Sequence, residues 1–370
     1  MDIDPYLRLM VDKSASDLYL SVGAPPYLKV EGRMRAVGST ALTGPAVEAF
    51  ANALMDDVQA AEFERTWEMN LAVSRPRIGR FRVNVFRQRS EVAIVVRNVK
   101  TDLPRIENLG VPLLLKELVM RPRGLIVVTG STGSGKSTTL AAMLDHRNET
   151  SSGHILTIED PVEFLHKHKR SLINQREVGF DTHSYHSALR NAMREAPDVI
   201  MIGEILDRET MEAALSFAET GHLCLTTLHA NNTDQTLDRI LSFFPESTKS
   251  ATLMNLSLNM VAVISQRLCV GVDGRRVPAV EVLINTPLTR DIIRRGQLNE
   301  LKEAMERSLE AGMQTFDQAL FRLFQEKRIG AEEALAHADS REGLALRMRL
   351  SETGSGDHSA EDDVNALYTA

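Results

Sequence analysis

The nine residues from Gly130 to Thr138, Gly-Ser-Thr-Gly-Ser-Gly-Lys-Ser-Thr, combine small, hydroxyl and cationic side chains at a spacing that suits phosphate chemistry. They fit the pattern G-x-x-x-x-G-K-[ST]. Glycines let successive backbone N–H groups point inward around phosphates, and the N-terminus of a following helix adds positive potential. An apolar strand pattern precedes the run and a helical pattern follows it, which favours a P-loop over an ordinary Gly/Ser turn.

The residues of this loop have distinct expected tasks. Lys136 would reach the β- and γ-phosphates of a nucleoside triphosphate, and Ser137 would ligate Mg²⁺. The remaining residues would surround the phosphates with backbone N–H groups. The predicted nucleotide-binding residues are Ser131, Thr132, Gly133, Ser134, Gly135, Lys136, Ser137 and Thr138.

Three further apolar strand patterns run into titratable residues, which are Glu159, Asp160 and Glu163 after the first, Glu204 after the second and His229 after the third. In open α/β sheets, ligands bind outside the carboxyl ends of the strands. Phosphoryl transfer needs one carboxylate near Mg²⁺ and one that orients the attacking water. Glu204 and Glu163 are the candidates, with Glu204 at the metal, and His229 is a candidate γ-phosphate sensor. Taken singly, each could instead be a helix cap or a solvated charge.

Arginines are concentrated between residues 80 and 97 of an otherwise acidic chain. Arg82 and Arg97 belong to this group and lie on predicted strands. One interpretation is a solvated strand face. The other is a set of arginines that stabilise phosphate charge across a subunit boundary.

The elements that position these residues fall into two domains. Residues 1–98 show short strands and one or two helices, which predicts a small α+β domain, and residues 99–112 read as a linker. In residues 113–350, the strands Leu125–Val128, Ile155–Ile158, Val199–Ile202 and Leu223–Thr227 alternate with helices, which predicts an α/β domain with a mainly parallel sheet. We expect mostly helix after Thr248, and a disordered tail over residues 351–370.

Composition excludes several classes of protein. The chain has 370 residues and a formal net charge of −7, which argues against a dedicated nucleic-acid binder. The two cysteines, Cys224 and Cys269, lie in apolar runs and are expected to be buried free thiols. No C-x-x-C pair, secretory signal or membrane span is evident in the sequence, so we expect a cytoplasmic protein without direct membrane insertion.

Four ordered motifs together resemble the secretion-superfamily ATPases, and most closely the type IV pilus retraction ATPases of the PilT/PilU family. They are the P-loop, Ile158-Glu-Asp-Pro-Val-Glu163, Asp198-Val-Ile-Met-Ile-Gly-Glu204, and Thr220-Gly-His-Leu-Cys-Leu-Thr-Thr-Leu-His229. Extension and type II secretion ATPases of the superfamily usually carry a four-cysteine zinc module, which this sequence lacks. Val178-Gly-Phe-Asp-Thr-His-Ser resembles the PilU branch more than the PilT branch.

The resemblance implies a PAS-like N-terminal domain, a RecA-like core and a homo-hexamer with ATP and Mg²⁺ bound between subunits. It also implies that Glu163 polarises water, that Glu204 works on the magnesium side, and that Arg82 and Arg97 reach the nucleotide. The implied function is a hexameric motor that hydrolyses ATP to drive pilus retraction and twitching motility. The implied partner is an inner-membrane platform protein, which would hold the motor peripherally at the inner membrane.

Two departures from the family pattern keep other functions open. Ala196 stands where an Asp is common, and Leu206 stands where an arginine is usual, so a charge close to Glu204 is missing. One alternative is therefore a PilU-like accessory subunit that depends on a PilT-like paralogue. Another is a type II secretion or DNA-uptake ATPase, which the missing cysteines disfavour.

Overall fold

The computed structural model describes residues 2–30, 32–99, 102–308 and 312–353. These residues divide into two compact units. The first unit extends to Leu103 and includes the short segments Val162–His166 and Gly179–Asp181. The second unit comprises Pro104–Pro161, Lys167–Val178 and the chain from Thr182 onward.

A six-stranded antiparallel sheet forms the centre of the first unit. Its elements are α1 (Asp4–Asp12), β1 (Asp17–Ser21), β2 (Tyr27–Val30), β3 (Arg33–Ala36), α2 (Gly44–Leu54), α3 (Asp57–Thr66), β4 (Glu68–Arg75), β5 (Gly79–Gln88) and β6 (Glu91–Asn98). The sheet order is β3-β2-β1-β6-β5-β4. Because side chains alternate across a strand, Phe81, Val83 and Val85 of β5 form one buried face. This face belongs to one core with Leu7 of α1 and Phe50 of α2.

The second unit contains a seven-stranded mixed sheet. Its first elements are α4 (Ile106–Leu109), α5 (Leu115–Val119), β7 (Gly124–Thr129), α6 (Lys136–Thr150), β8 (His154–Glu159), β9 (Leu172–Glu177), α7 (Tyr185–Ala192), β10 (Val199–Ile202), α8 (Arg208–Glu219) and β11 (Leu223–Leu228). They are followed by α9 (Thr233–Ser242), α10 (Glu246–Asn259), β12 (Met260–Val270), β13 (Arg276–Ile284), α11 (Pro287–Arg295), α12 (Leu301–Glu306), α13 (Phe316–Gln325), α14 (Ala331–Ala336) and α15 (Arg341–Thr353). The sheet order is β13-β12-β7-β11-β10-β8-β9, in which β13 is antiparallel to β12 and the other neighbours are parallel.

The four strands predicted for this unit are all present, and they lie side by side as β7, β11, β10 and β8. Every residue of β7 is buried. Leu125 and Val127 pack into the core that contains α8, whereas Ile126 and Val128 pack into the core that contains α6. Strands buried on both faces read as continuous apolar runs, which is why the sequence identified them. With helices on both faces of these strands, a ligand approaches the sheet at the strand ends.

The expectation that the chain after Thr248 is mostly helical is wrong for residues 260–284. Met260–Val270 and Arg276–Ile284 form the antiparallel strands β12 and β13. A continuous apolar run is shared by buried strands and buried helices, so periodicity could not separate the two. The turn residues Asp273 and Gly274, with Gly274 at a φ of +77°, form the hairpin signal that favours strands here.

Several smaller expectations can be compared with the described residues. Cys224 and Cys269 are both buried and free, as their apolar neighbours predicted. Within the described ranges, no helix is long and apolar enough to cross a membrane. Residues 354–370, which form most of the predicted disordered tail, lie outside the described residues.

Candidate active site

The P-loop connects β7 to α6 through a backbone that only glycine adopts easily at several positions. Gly133 and Gly135 have φ values of +78° and +92°, in the left-handed region that side chains disfavour. At Gly130, an added Cβ would lie 2.4 Å from Oγ of Ser134 and 2.5 Å from the carbonyl oxygen of Gln266. The loop therefore closes against β12 in a way that a larger residue at Gly130 would prevent.

Lys136 is the first residue of α6, and its side chain turns back over the loop. Its Nζ donates hydrogen bonds to the carbonyl oxygens of Gly130 at 2.9 Å and Ser131 at 3.0 Å. Oγ of Ser134 is buried and has no hydrogen-bond partner among the described residues. Ser137 and Thr138 are half-buried in the first turn of the helix. A held ammonium, an unsatisfied hydroxyl and a helix N-terminus at one place form a cradle that fits a polyphosphate.

The strand order brings the other predicted residues to the same edge of the sheet. β11 lies beside β7, β10 beside β11 and β8 beside β10, all parallel. Their carboxyl ends carry His229, Glu204 and Glu159, respectively. Nε2 of His229 lies 2.8 Å from Oε1 of Glu204, so these two predicted catalytic residues form a direct pair.

Glu159 has a structural environment that the sequence did not reveal. Its carboxylate is buried, and its Oε1 accepts hydrogen bonds from Oγ1 of Thr157 at 2.6 Å and Nε2 of Gln175 at 3.2 Å. Asp160, the next residue, is exposed. Glu159 is thus fixed within the sheet edge, and this arrangement places a second carboxylate close to the end of β10.

Sequence reasoning missed Tyr185, which lies among these carboxylates. Burial, followed by the negative charges of Asp160, Glu159 and Glu204, raises the pKa of Tyr185 far above its usual value. The phenol therefore remains protonated at neutral pH. The sequence shows Tyr185 only as the first residue of a helical pattern. Nothing in that pattern indicates that its hydroxyl lies near the ends of β8 and β10.

A cavity of about 260 Å³ lies beside the P-loop. Its walls come from the P-loop, the segment after His229, the β12–β13 pair and the end of α14. The lining residues are Ser131, Thr132, Gly133, Ser134, Asn231, Gln266, Arg267, Leu268, Arg276 and His337. Nη2 of Arg267 donates a hydrogen bond to Oδ1 of Asp339 at 2.6 Å. The only sequence signal for this wall is that Gln266 and Arg267 end a long uncharged stretch.

Arg82, Arg97 and Glu163 belong to the first unit. Arg82 and Arg97 are directly opposite each other on β5 and β6, so both project from the same face of the sheet. Nε of Arg97 lies 2.9 Å from Oδ1 of Asp17, and 68% of the Arg97 side chain is exposed. Glu163 is exposed. The arginines are therefore neighbours on one surface, and one of them is oriented by a carboxylate.

The two departures from the family pattern have different surroundings. Ala196 has a φ of +49° after a short 3₁₀ turn, a left-handed conformation in which aspartate is favoured over alanine. The side chain of Leu206 is exposed, next to the capping residue Asp207 of α8.

Comparison with known proteins gives a consistent set of similarities. A family profile described as "Type II/IV secretion system protein" matches residues 7–311. The chain is 49% identical over 359 residues to the type IV pilus ATPase PilU of Pseudomonas aeruginosa, which covers 97% of this chain and 94% of PilU. It is 42% identical over 334 residues to the type IV pilus retraction ATPase PilT of the same organism, with 90% and 97% covered. A crystal structure of the pilus retraction motor PilT with bound ADP has a TM-score of 0.88 at 38% identity, covering 94% of this chain and 99% of PilT.

Proposed function

This chain belongs to the type IV pilus retraction ATPases of the type II/IV secretion family, and from that premise we propose that it works as a homo-hexameric motor in which ATP hydrolysis drives pilin extraction. It is a P-loop ATPase, as its relatives are. The observation that carries the proposal is the convergence of the P-loop with the Glu204–His229 pair at one edge of the sheet. A nucleotide bound there would lie beside the carboxyl ends of both β10 and β11.

We assign the residues of the second unit to separate tasks. Residues 131–138 hold the phosphates, with the Lys136 ammonium directed at the β- and γ-phosphates. Ser137 and Glu204 would hold Mg²⁺, which supplies neutralisation of the phosphate charge when it is bound. His229 contacts Glu204 and would register whether a γ-phosphate is present. This donor set of hydroxyl and carboxylate oxygens is the kind that Mg²⁺ prefers.

The first unit supplies the remaining proposed residues. Glu163 would orient the attacking water. Arg82 and Arg97 would stabilise charge on the transferring phosphoryl group from a neighbouring subunit. Their side-by-side position on β5 and β6 supports a shared task.

The finer architectural assignments are also proposals. We propose a PAS-like domain over residues 1–98, a linker over 99–112 and a RecA-like ATPase domain over 113–350. We further propose that the motor is cytoplasmic and is held at the inner membrane by a platform protein of the pilus machine. The similarity to PilT and PilU along nearly the whole chain supports both proposals.

A second candidate function is an accessory subunit that depends on a PilT-like paralogue. The exposed Leu206 beside Glu204 favours it, because a cation that could compensate the carboxylate charge is missing there. The higher identity to PilU than to PilT points in the same direction. ATPase activity of the purified protein, measured alone and with the paralogue, separates the two candidates.

Deletion of the gene, followed by counting surface pili, tests the retraction role. Accumulation of pili that do not retract is the expected result. Loss of pili would instead show an extension role. The same deletion in a strain that already lacks the paralogue distinguishes the motor from the accessory subunit. Deleting an accessory subunit changes nothing further when its partner is absent, whereas deleting a motor does.

A further inference from the structure

The hydroxyl of Tyr185 lies against the peptide that precedes Glu204. A Cβ added to Gly203 would be 2.9 Å from Oη of Tyr185 and 3.2 Å from Cα of Glu159. The backbone N–H of Gly203 also donates to the carbonyl oxygen of Ile158 at 2.8 Å. Oη is therefore placed where the ends of β8 and β10 meet, and Gly203 is the residue that leaves room for it.

The same hydroxyl is surrounded by negative charge. Asp160, Glu159 and Glu204 all act on the phenol electrostatically, and the main chain of Asp160 forms a hydrogen bond with it that favours the ionised form. In such a bond the N–H donates and Oη accepts. The O–H proton of Tyr185 therefore remains available for donation. Oη of Tyr185 thus contacts the main chain after β8 as well as the peptide of Gly203 after β10.

The other side of Tyr185 borders a second cavity, of about 270 Å³. The titratable residues of its wall are His183, His186, Asp207 and Glu209. Nδ1 of His186 lies 2.8 Å from Oε2 of Glu209, so this histidine has its own carboxylate partner. Tyr185 thus lines this cavity and also meets the ends of the two strands.

We propose that Tyr185 is a positioning residue, whose hydroxyl meets the main chain at the ends of β8 and β10 and so fixes the backbone that carries Glu204. It acts through Glu204 and so rests on the proposed role of Glu204 at the metal. A role in packing alone is the competing explanation, since the Tyr185 ring also contacts the core of the second unit. Replacement by phenylalanine retains the ring and removes the hydroxyl.

The purified full-length Tyr185→Phe protein tests this proposal through its ATPase kinetics. We expect kcat to fall about tenfold, the scale of one lost hydrogen bond, with KM for ATP nearly unchanged. The Mg²⁺ concentration for half-maximal turnover should rise, because the backbone that carries Glu204 is less firmly placed. The matched control is Tyr6→Phe, whose ring packs against Phe50 in the first unit.

A double-mutant cycle locates the hydroxyl independently. Gly203→Ala alone should lower turnover, because its Cβ meets Oη at 2.9 Å. Adding Tyr185→Phe should restore part of that loss. An effect of Gly203→Ala that is the same with tyrosine or phenylalanine at position 185 would show that the hydroxyl does not lie at this peptide.

The outcomes distinguish this proposal from the site assignment on which it rests. If Glu204→Gln is inactive while Tyr185→Phe keeps the wild-type kcat and Mg²⁺ requirement, the role of Tyr185 is wrong and the site stands. If Glu204→Gln hydrolyses ATP at the wild-type rate, both assignments fail. A Tyr185→Phe protein that only melts earlier, with unchanged kinetics, supports packing and overturns the proposal.

Discussion

At the scale of single residues, Lys136 is the side chain whose surroundings are most clearly defined. Two carbonyl oxygens of the P-loop hold its Nζ, and the side chain is buried beneath the loop. An ammonium held at this place, beside the N-terminus of α6, favours an anionic ligand. The ligand that fits is the phosphate chain of ATP.

Lys136→Ala should therefore abolish ATP hydrolysis while the fold is retained. The cation directed at the β- and γ-phosphates is lost, and the loop glycines that set the backbone are unchanged. Phosphate release measures the rate, and circular dichroism monitors the fold. Lys249→Ala is the matched control, because Lys249 pairs with Glu246 at the surface of α10. Wild-type turnover in a folded Lys136→Ala protein would be incompatible with the P-loop assignment.

Glu163 and Glu204 should give different defects when each is replaced by glutamine. Glu163→Gln should bind ATP and Mg²⁺ normally and turn over at least about a hundredfold more slowly, as expected when a positioned base is lost. Glu204→Gln should need more Mg²⁺, because an amide is a weaker ligand than a carboxylate. Nucleotide binding and Mg²⁺ titrations of turnover separate the two. Equal, mild effects would show that neither role is assigned correctly.

The sequence predicted site residues where motif and strand end coincide. Lys136, Glu204 and His229 each follow an apolar run, and parallel strands deliver their carboxyl ends to one edge. Tyr185 and Gln266 have no such signal, because they reach the site through tertiary packing. Gly203 illustrates the limit, because nothing in the sequence indicates that a Cβ added there would lie 2.9 Å from Oη of Tyr185.

At the scale of elements, the start of α9 is held by a buried carboxylate from β13. Oε1 of Glu281 accepts a hydrogen bond from the backbone N–H of Thr233 at 2.7 Å. Because α9 begins a few residues after His229, this contact fixes the segment that joins the proposed γ-phosphate sensor to the helix. Burial, opposed by the hydrogen bonds from Thr233 and reinforced by Asp339 and Asp234, raises the pKa of Glu281 to about 7.

This raised pKa makes stability depend on pH in a defined direction. Between the ordinary value of 4.5 and about 7, the folded state keeps a proton on Glu281 that the unfolded state releases. The stabilisation is complete below about pH 4.5 and is lost as pH rises through about 7. We expect the wild-type free energy of unfolding to fall between pH 5 and pH 8, by up to the order of 3 kcal/mol from this group.

Glu281→Gln should flatten that pH dependence, since an amide oxygen still accepts from Thr233 but does not titrate. Urea unfolding at several pH values between 5 and 8 gives the measurement. Glu246→Gln, a change at an exposed carboxylate of α10, is the control and should leave the wild-type slope in place. Parallel slopes for wild type and Glu281→Gln would show that Glu281 ionises normally in the folded protein.

Elements were predictable where their pattern had one interpretation. β7 and β10 are short apolar runs bounded by turn residues, which favours strands over helices. Met260–Val270 is longer and continues an uncharged stretch that begins inside α10, so the boundary between helix and strand left no mark in the composition. As a result, the wall of the cavity formed by Gln266 and Arg267 was also missed.

At the scale of the whole molecule, the nucleotide motifs and the proposed arginines are in different units. The P-loop belongs to the second unit, and Arg82 and Arg97 belong to the first. The pair between Arg97 and Asp17 orients a guanidinium that is largely exposed. An exposed but oriented arginine is suited to meet a phosphate of another subunit, as arginine fingers do.

We therefore predict that Arg97 acts in trans. Arg97→Ala should lower hydrolysis strongly, since an arginine finger contributes about 10³–10⁵ in rate, while the isolated subunit keeps nearly the same affinity for ATP. Arg35→Ala, which removes an exposed arginine from β3 of the same unit, should leave hydrolysis unchanged. Mixing inactive Arg97→Ala subunits with inactive Lys136→Ala subunits should restore activity, because some interfaces then pair an intact P-loop with an intact arginine. Native mass spectrometry verifies that the rings are mixed, and mixed rings that remain inactive at every subunit ratio would favour a solvated strand face.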